Sequence, residues 1–337
     1  VTMHSTESTA EKEHPLPASD FRPLYFDCDT GIDDSLALAY LLASPEVELA
    51  GIGTVCGNTG AAQAARNTLG LLALAGRDDV PVAVGRHDFL THAFDGGAKH
   101  VHGENGVGNV TLPEPSRAPA EGTAAEMLIR LSHEYAGTLE VVAVGPLSNL
   151  ATALELDPTL PSRVARVTLM GGAALVAGNI SPVAEANIGN DPAAAAAVLA
   201  APWPVVVAPL DVTLENVFEE EHRALLLASD SPVARAVGEM LDFYMDFYVA
   251  TYGVRCSALH DPLAAALAVG QVVPTNAPAV PVTVDTTDGP GRGQLIADLR
   301  GQRVGPFDHA GANVRIVLST DAPLAGILAE RVANPPR

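Results

Sequence analysis

The chain has 337 residues, 48% hydrophobic and 18% charged, the balance of an ordinary globular core. Its 40 acidic residues against 19 basic ones give a formal charge of −21, which repels phosphate backbones and argues against binding a nucleic-acid polymer. No apolar run reaches the roughly 18 residues of a membrane helix, and the three cysteines, Cys28, Cys56 and Cys256, have no CxxC spacing. A reducing cytoplasm is the compartment this implies.

Residues 1–21 read as a disordered polar tail without the apolar stretch of a secretory signal, leaving 22–337 as one domain. Strands are predicted at Pro23–Asp27, Val47–Thr54, Pro81–Val84, Leu139–Val144, Val164–Met170 and Pro204–Pro209. Helical patterns fall between them at Ser35–Ala43, Ala61–Ala75, Ala124–Tyr135 and Pro192–Ala200. This alternation, with strands apolar nearly throughout, predicts an α/β fold with a mostly parallel sheet covered by helices on both faces. Residues 85–109 form a Gly- and His-rich loop longer than a compact connection needs, as in a lid or binding loop. Pro281–Asp285, Gln294–Leu299 and Val314–Ser319 have few helices between them and are expected to be antiparallel additions.

The segment from Phe26 to Leu36 carries Asp27, Asp29, Asp33 and Asp34 at the exit of the first strand. Ligands of open α/β sheets bind at such strand ends. Asp27 and Asp29 alternate along the strand exit, Gly31 permits a tight turn, and Asp33 and Asp34 open the next helix. Four carboxylates in so small a volume raise one another's pKa unless a cation compensates. An all-oxygen donor set points to Ca²⁺ or Mg²⁺ rather than zinc. Helix capping accounts for one of the four. A phosphohydrolase built on a DxD nucleophile is an alternative, but it requires a later Lys and Ser/Thr, and no convincing pair is present.

Asp27 to Asp34 resembles the DxDxGxDD fingerprint of the nucleoside hydrolases, and four further blocks follow in order. They are Val55-Cys56-Gly57-Asn58, then Val144 to Leu150 (VGPLSNL), then Met170-Gly171-Gly172 with Asn179 to Asn187 (NISPVAEAN), and His260-Asp261-Pro262-Leu263. The resemblance implies a nucleoside-hydrolase-type fold and hydrolysis of the N-glycosidic bond of purine or pyrimidine ribonucleosides, through an oxocarbenium-like transition state. It implies Ca²⁺ held by Asp29, Asp34, the Val144 carbonyl and Asp261, with Asp29 as general base and Asn58 fixing it. Val144 stands where the family often has Thr, which a carbonyl ligand tolerates. Asp27 would support its neighbours.

By the same resemblance, Asp33 and Asn187 would hold the ribose 2′-hydroxyl, Asn179 and Glu185 the 5′-hydroxyl, and Met170 would pack beneath the sugar. His260 would assist the leaving base, and His102 would close over the site from its loop. Tyr244, Tyr248 and Tyr252 recur every four residues and share a helical face, a wall for the base with Tyr248 foremost. Ala186 stands where relatives commonly carry a larger side chain, which implies a wider or differently shaped base pocket. His87, His92 and His100 match nothing and read as surface residues. The family is usually a homo-oligomer, so a homodimer or homotetramer is expected. A noncatalytic nucleoside- or metal-binding protein of the same fold is the remaining alternative.

Overall fold

The computed structural model describes residues 21–305 and 307–336. Of the expected tail, residues 1–20 lie outside the described residues. Strands β1 (Arg22–Cys28), β2 (Val47–Thr54), β3 (Val82–Val84), β4 (Leu139–Ala143), β5 (Val164–Met170) and β6 (Val205–Ala208) run along the first two thirds. Shorter strands follow: β7 (Val217–Glu219), β8 (Cys256–Ala258), β9 (Pro274–Asn276), β10 (Val282–Val284), β11 (Leu295–Ala297), β12 (Val314–Ile316) and β13 (Ser319–Thr320). The helices of the first half are α1 (Ile32–Leu42), α2 (Ala61–Ala75), α3 (Lys99–His102), α4 (Ala124–Glu134), α5 (Ser148–Leu156) and α6 (Ala186–Asn190). Those of the second half are α7 (Pro192–Ala200), α8 (Leu210–Thr213), α9 (Glu220–Leu227), α10 (Pro232–Tyr252), α11 (His260–Val269) and α12 (Ala325–Ala333).

The central sheet has seven strands in the order β12-β6-β5-β4-β1-β2-β3, and every pairing in it is parallel. The chain runs from β1 outward through β2 to β3, then returns to the other side of β1 with β4. The order therefore reverses between β1 and β4, which is where such sheets leave a crevice for a ligand. Period-two alternation sends Leu24, Phe26 and Cys28 into one core with α1, α2, α10, α11 and α12, and Tyr25 into another with α4, α5 and α7. Both faces are covered, as the apolar strands require.

The antiparallel additions are real for two of the three segments, since β10 pairs antiparallel with β11. The third expectation is corrected. Val314–Ile316 is β12, an edge strand parallel to β6, and only Ser319–Thr320 turns back to pair antiparallel with β9. Three-residue strands carry no signal of their partner's direction, which is set by what the intervening chain can reach.

Helix ends follow local chemistry. Ser231 caps α10 by accepting the Ala234 N–H, Pro232 occupies its first turn, and Gly253 ends it in the left-handed region at φ 74°. Gly53, in mid-β2, is needed for space rather than for φ. A Cβ there would lie 1.9 Å from the Tyr25 hydroxyl oxygen and 2.6 Å from Asp27 Oδ2. Tyr25 donates to that same Oδ2 at 2.8 Å. Gly53→Ala should therefore destabilise the fold by about 1–3 kcal/mol through overpacking and displace Asp27. Urea unfolding measures it, and an unchanged midpoint would show that the contact is not tight.

Candidate active site

The carboxyl end of β1 delivers Asp29, and the turn into α1 delivers Asp33 and Asp34. Gly31 precedes α1 at an ordinary φ of −87°, so it is not needed for a left-handed turn. Its role is clearance, because a Cβ would meet Asn58 Nδ2 at 2.5 Å and His102 Nδ1 at 2.7 Å. Asp34 ties the turn together. Its Oδ2 accepts from the Gly31 N–H at 2.7 Å and its Oδ1 from the Asp29 N–H at 3.0 Å. Asn58, at the end of β2, donates its backbone N–H to Asp29 Oδ2 and its amide to Asp34 Oδ2, at 2.5 and 3.0 Å. Asp261 arrives from the first turn of α11.

Asp27, Asp29, Asp33, Asp34 and Asp261 are all buried. Burial and the mutual repulsion of Asp29, Asp33 and Asp34 push these carboxyls up: Asp34 to about 7, Asp29 and Asp261 well above the usual range. Asp33 rises as well, by burial, although His260 opposes it. Asp33 Oδ1 is buried without a hydrogen-bond partner. Asp33, Asp34 and Asp261 offer oxygens within 4.8 Å of one another. That set has Asp33 where the sequence suggested Asp29, which is anchored by Asn58 beside it. An orphaned carboxylate oxygen in an all-oxygen cluster fits a hard divalent cation. Asp27 faces away, held by Tyr25 and by the Asn149 amide at 3.1 Å.

A cavity of about 470 Å³ opens onto this cluster. Its lining brings together Asp33, Asn58, His102, Met170, Asn179, Glu185, Asn187, Tyr248, His260 and Asp261. Glu185 caps α6, accepting the N–H groups of Asn187 and Ile188, and also that of Gly172 at 2.7 Å. Asn187 spends its amide nitrogen on the carbonyls of Val144 and Met170, at 2.9 and 3.2 Å. Asn179 is exposed and accepts the Ala186 N–H. No lysine or arginine is among the described lining residues, which disfavours phosphate chemistry.

His102 is buried with its Nδ1 accepting the Ile32 N–H at 3.1 Å, and burial lowers its pKa to about 3. It stays neutral and lies 5.5 Å from the Tyr244 ring. His260 shares Nδ1 with the Thr213 hydroxyl at 2.8 Å and Nε2 with the Tyr248 hydroxyl at 3.1 Å. Burial lowers its pKa too. Tyr244, Tyr248 and Tyr252 all line the cavity, the first two buried and the last exposed at its mouth. Tyr244 donates to Asp33 Oδ2 at 3.4 Å.

His100 is exposed, as expected, and it also lines the cavity, 5.9 Å from Phe247, because α3 folds its loop over the opening. Two residues had no role in the sequence reading. Thr213 sits on α8 after β6, recognisable only as one more strand end. Asn149 bridges β1 and β2 by donating to Asp27 and to the Thr54 carbonyl, and lay unassigned inside a matched block.

Raised carboxyl pKa values link cation binding to stability. In cation-free protein the native state holds protons that the unfolded chain has released between pH 3.8 and about 7. Asp27 and Asp34 therefore contribute stability below pH 3.8 that is lost as pH rises through 7. A saturating divalent cation should offset the share of Asp34 in that loss, adding about 2.7 kcal/mol at one hundred times Kd. Melting curves at pH 5 and 8, with Ca²⁺ or chelator, check this. A Ca²⁺ effect no larger at pH 8 than at pH 5 would contradict it.

Among the described residues, no helix is long and apolar enough to cross a membrane. Residues 24–325 match the inosine-uridine preferring nucleoside hydrolase family. Uridine nucleosidase 1 of Arabidopsis thaliana is 39% identical over 240 residues, spanning 71% of this chain and 71% of that protein. The pyrimidine-specific ribonucleoside hydrolase RihA of Citrobacter koseri is 40% identical over 241 residues, spanning 71% and 77%. The solved plant nucleoside hydrolase PpNRh1 superposes with a TM-score of 0.87 at 32% identity, over 93% of this chain and 99% of its own. The chain thus belongs to the inosine-uridine preferring nucleoside hydrolase family and hydrolyses the N-glycosidic bond of ribonucleosides.

Proposed function

We propose that this enzyme is a Ca²⁺-dependent hydrolase of pyrimidine ribonucleosides, uridine foremost, with Asp29 as general base. The observation that carries the cation is the buried, all-carboxylate cluster. Asp29, Asp34, Asp261 and the Val144 carbonyl would hold Ca²⁺, which when bound orients the ribose diol and acidifies the attacking water. The preference for the base rests on the two relatives named for uridine and pyrimidine substrates.

The chain's own groups divide the work. Asn58 grips Asp29, so the carboxylate that takes the water's proton cannot rotate away. Asn187 has its amide nitrogen committed, which leaves Oδ1 to accept from the 2′-hydroxyl beside Asp33. Glu185, pinned by three backbone N–H groups, accepts from the 5′-hydroxyl together with Asn179. Met170 forms the floor. The rings of Tyr248 and Tyr244 wall the base, and His102 closes the cavity. His260 is neutral, so it assists the departing base by hydrogen bonding in concert with Tyr248 and Thr213. The free cysteines are compatible with a reducing, cytoplasmic setting, and the resemblance of the family's members supports a homodimer or homotetramer.

Ribose release from inosine, adenosine, guanosine, uridine and cytidine, with Ca²⁺ or chelator, is the direct assay. Uridine should be cleaved fastest and only with Ca²⁺. Faster inosine cleavage would overturn the base preference, and release from none would overturn the activity. Asp29→Asn should lower kcat by roughly 10²–10⁴-fold while the fold survives. Substantial turnover in that variant removes Asp29 as the base. His260→Ala should slow substrates with poor leaving groups most, and an equal loss across a leaving-group series would sink its role.

A further inference from the structure

The helix that presents Asp261 and His260 at the site is clamped at its other end, on the floor of the sheet. Arg22 donates to the carbonyls of Ala268 and Val269, at 3.0 and 2.6 Å, and to Glu140 at 2.9 Å. Arg166 donates to the Ala268 carbonyl at 3.2 Å and to the other Glu140 oxygen at 2.8 Å. These carbonyls are among the last of α11, which have no partner within the helix. Two guanidiniums also complement the negative end of the helix dipole. Glu140 is buried and opposes Leu24 of β1 and Arg166 of β5 in the strand register, so the three charged residues sit on adjacent strands.

The same three strands carry the site at their far ends. Arg22 opens β1, which ends at Cys28 just before Asp29; Glu140 is the second residue of β4, which ends just before Val144; Arg166 is the third residue of β5, which ends at Met170. The four strand steps from Glu140 to Val144, or from Arg166 to Met170, span about 13 Å, and the six from Arg22 to Cys28 about 20 Å. Nine helical steps from Val269 back to His260 span about 14 Å. The helix is therefore a strut of nearly the same length as the stretches of β4 and β5 above Glu140 and Arg166, on which it lies. Its lower end is bonded to their starts, and its upper end meets the carboxylates at their exits. All ten of its residues are buried, and the other directional side-chain contacts, from His260 to Thr213 and Tyr248, lie at its upper end.

We propose that Arg22, Glu140 and Arg166 are positioning residues that fix the axial position of α11 and thereby seat Asp261 against Asp33 and Asp34. The inference rests on the reading of Asp261 as a cation ligand. A sliding helix would carry Asp261 away from the cluster while leaving the apolar packing nearly intact. The clamp therefore acts on cation affinity more than on folding.

Ca²⁺ affinity of the full chain, measured by competition with a fluorescent chelator, tests this alongside melting in chelator. Arg22→Met, which removes both carbonyl contacts, should weaken Ca²⁺ about tenfold. Arg22→Lys keeps the charge, can serve one carbonyl, and should give about a threefold loss without lowering the cation-free melting temperature; it carries the test if the methionine variant does not fold. Leu128→Ala, in the core on the opposite face of the sheet, is the control. It should lower the melting temperature yet leave affinity within about twofold. Unchanged Ca²⁺ affinity in Arg22→Lys, or in a folded Arg22→Met, overturns the proposal alone. Absence of Ca²⁺ binding by the unsubstituted chain overturns both the proposal and the functional reading beneath it.

Discussion

Electrostatic repulsion among buried aspartates organises this molecule. Asp29, Asp33, Asp34 and Asp261 sit in a volume where burial and proximity both oppose ionisation. Protons relieve that repulsion in the cation-free chain, and a divalent cation relieves it better at neutral pH. The surroundings serve the arrangement: backbone N–H groups and Asn58 orient the carboxylates, but among the described residues no lysine or arginine lines the cavity to neutralise them. The charge is left available for a ligand.

The fold explains how residues from distant parts of the chain reach one point. A parallel sheet sends every strand exit to the same edge, and the reversal between β1 and β4 opens the crevice there. Asp29, Asn58, Val144 and Met170 each lie at or just beyond a strand end. Asp33, Asp34, Asn187 and Asp261 each lie in the first turn of a helix, or within two residues of its start. Helix starts present unpaired N–H groups and positive dipole ends, which partly offset the clustered negative charge. The N-cap contacts of Glu185 and Asp34 are the clearest instances.

Much of this was legible in the sequence because it is locally encoded. The strand and helix periods of the first two hundred residues and the ordered motif blocks needed no tertiary information. What was not legible depends on contacts across the fold. Val314–Ile316 looked like an antiparallel addition because pairing direction is not written in three apolar residues. Gly31 looked like a turn residue, whereas the need for it comes from Asn58 and His102, 27 and 71 residues onward. That the exposed His100 also lines the cavity was not legible, because its loop gives no hint of folding back over it. Thr213 had no motif to mark it, and its contact with His260 follows only from the meeting of α8 and α11. The grouping of Asp33 and Asp34 with Asp261 likewise follows from the meeting of the starts of α1 and α11, which spacing cannot encode.

The central claim is that a divalent cation replaces protons in the carboxylate cluster. Calorimetric titration of the chelator-treated chain with Ca²⁺ at pH 6, in two buffers of different ionisation enthalpy, counts the protons displaced. With Asp34 titrating near pH 7 and Asp29 and Asp261 held well above the usual carboxylate range, release of at least about one proton per bound ion is the result predicted. Binding without proton release, or no binding at all, would contradict the account.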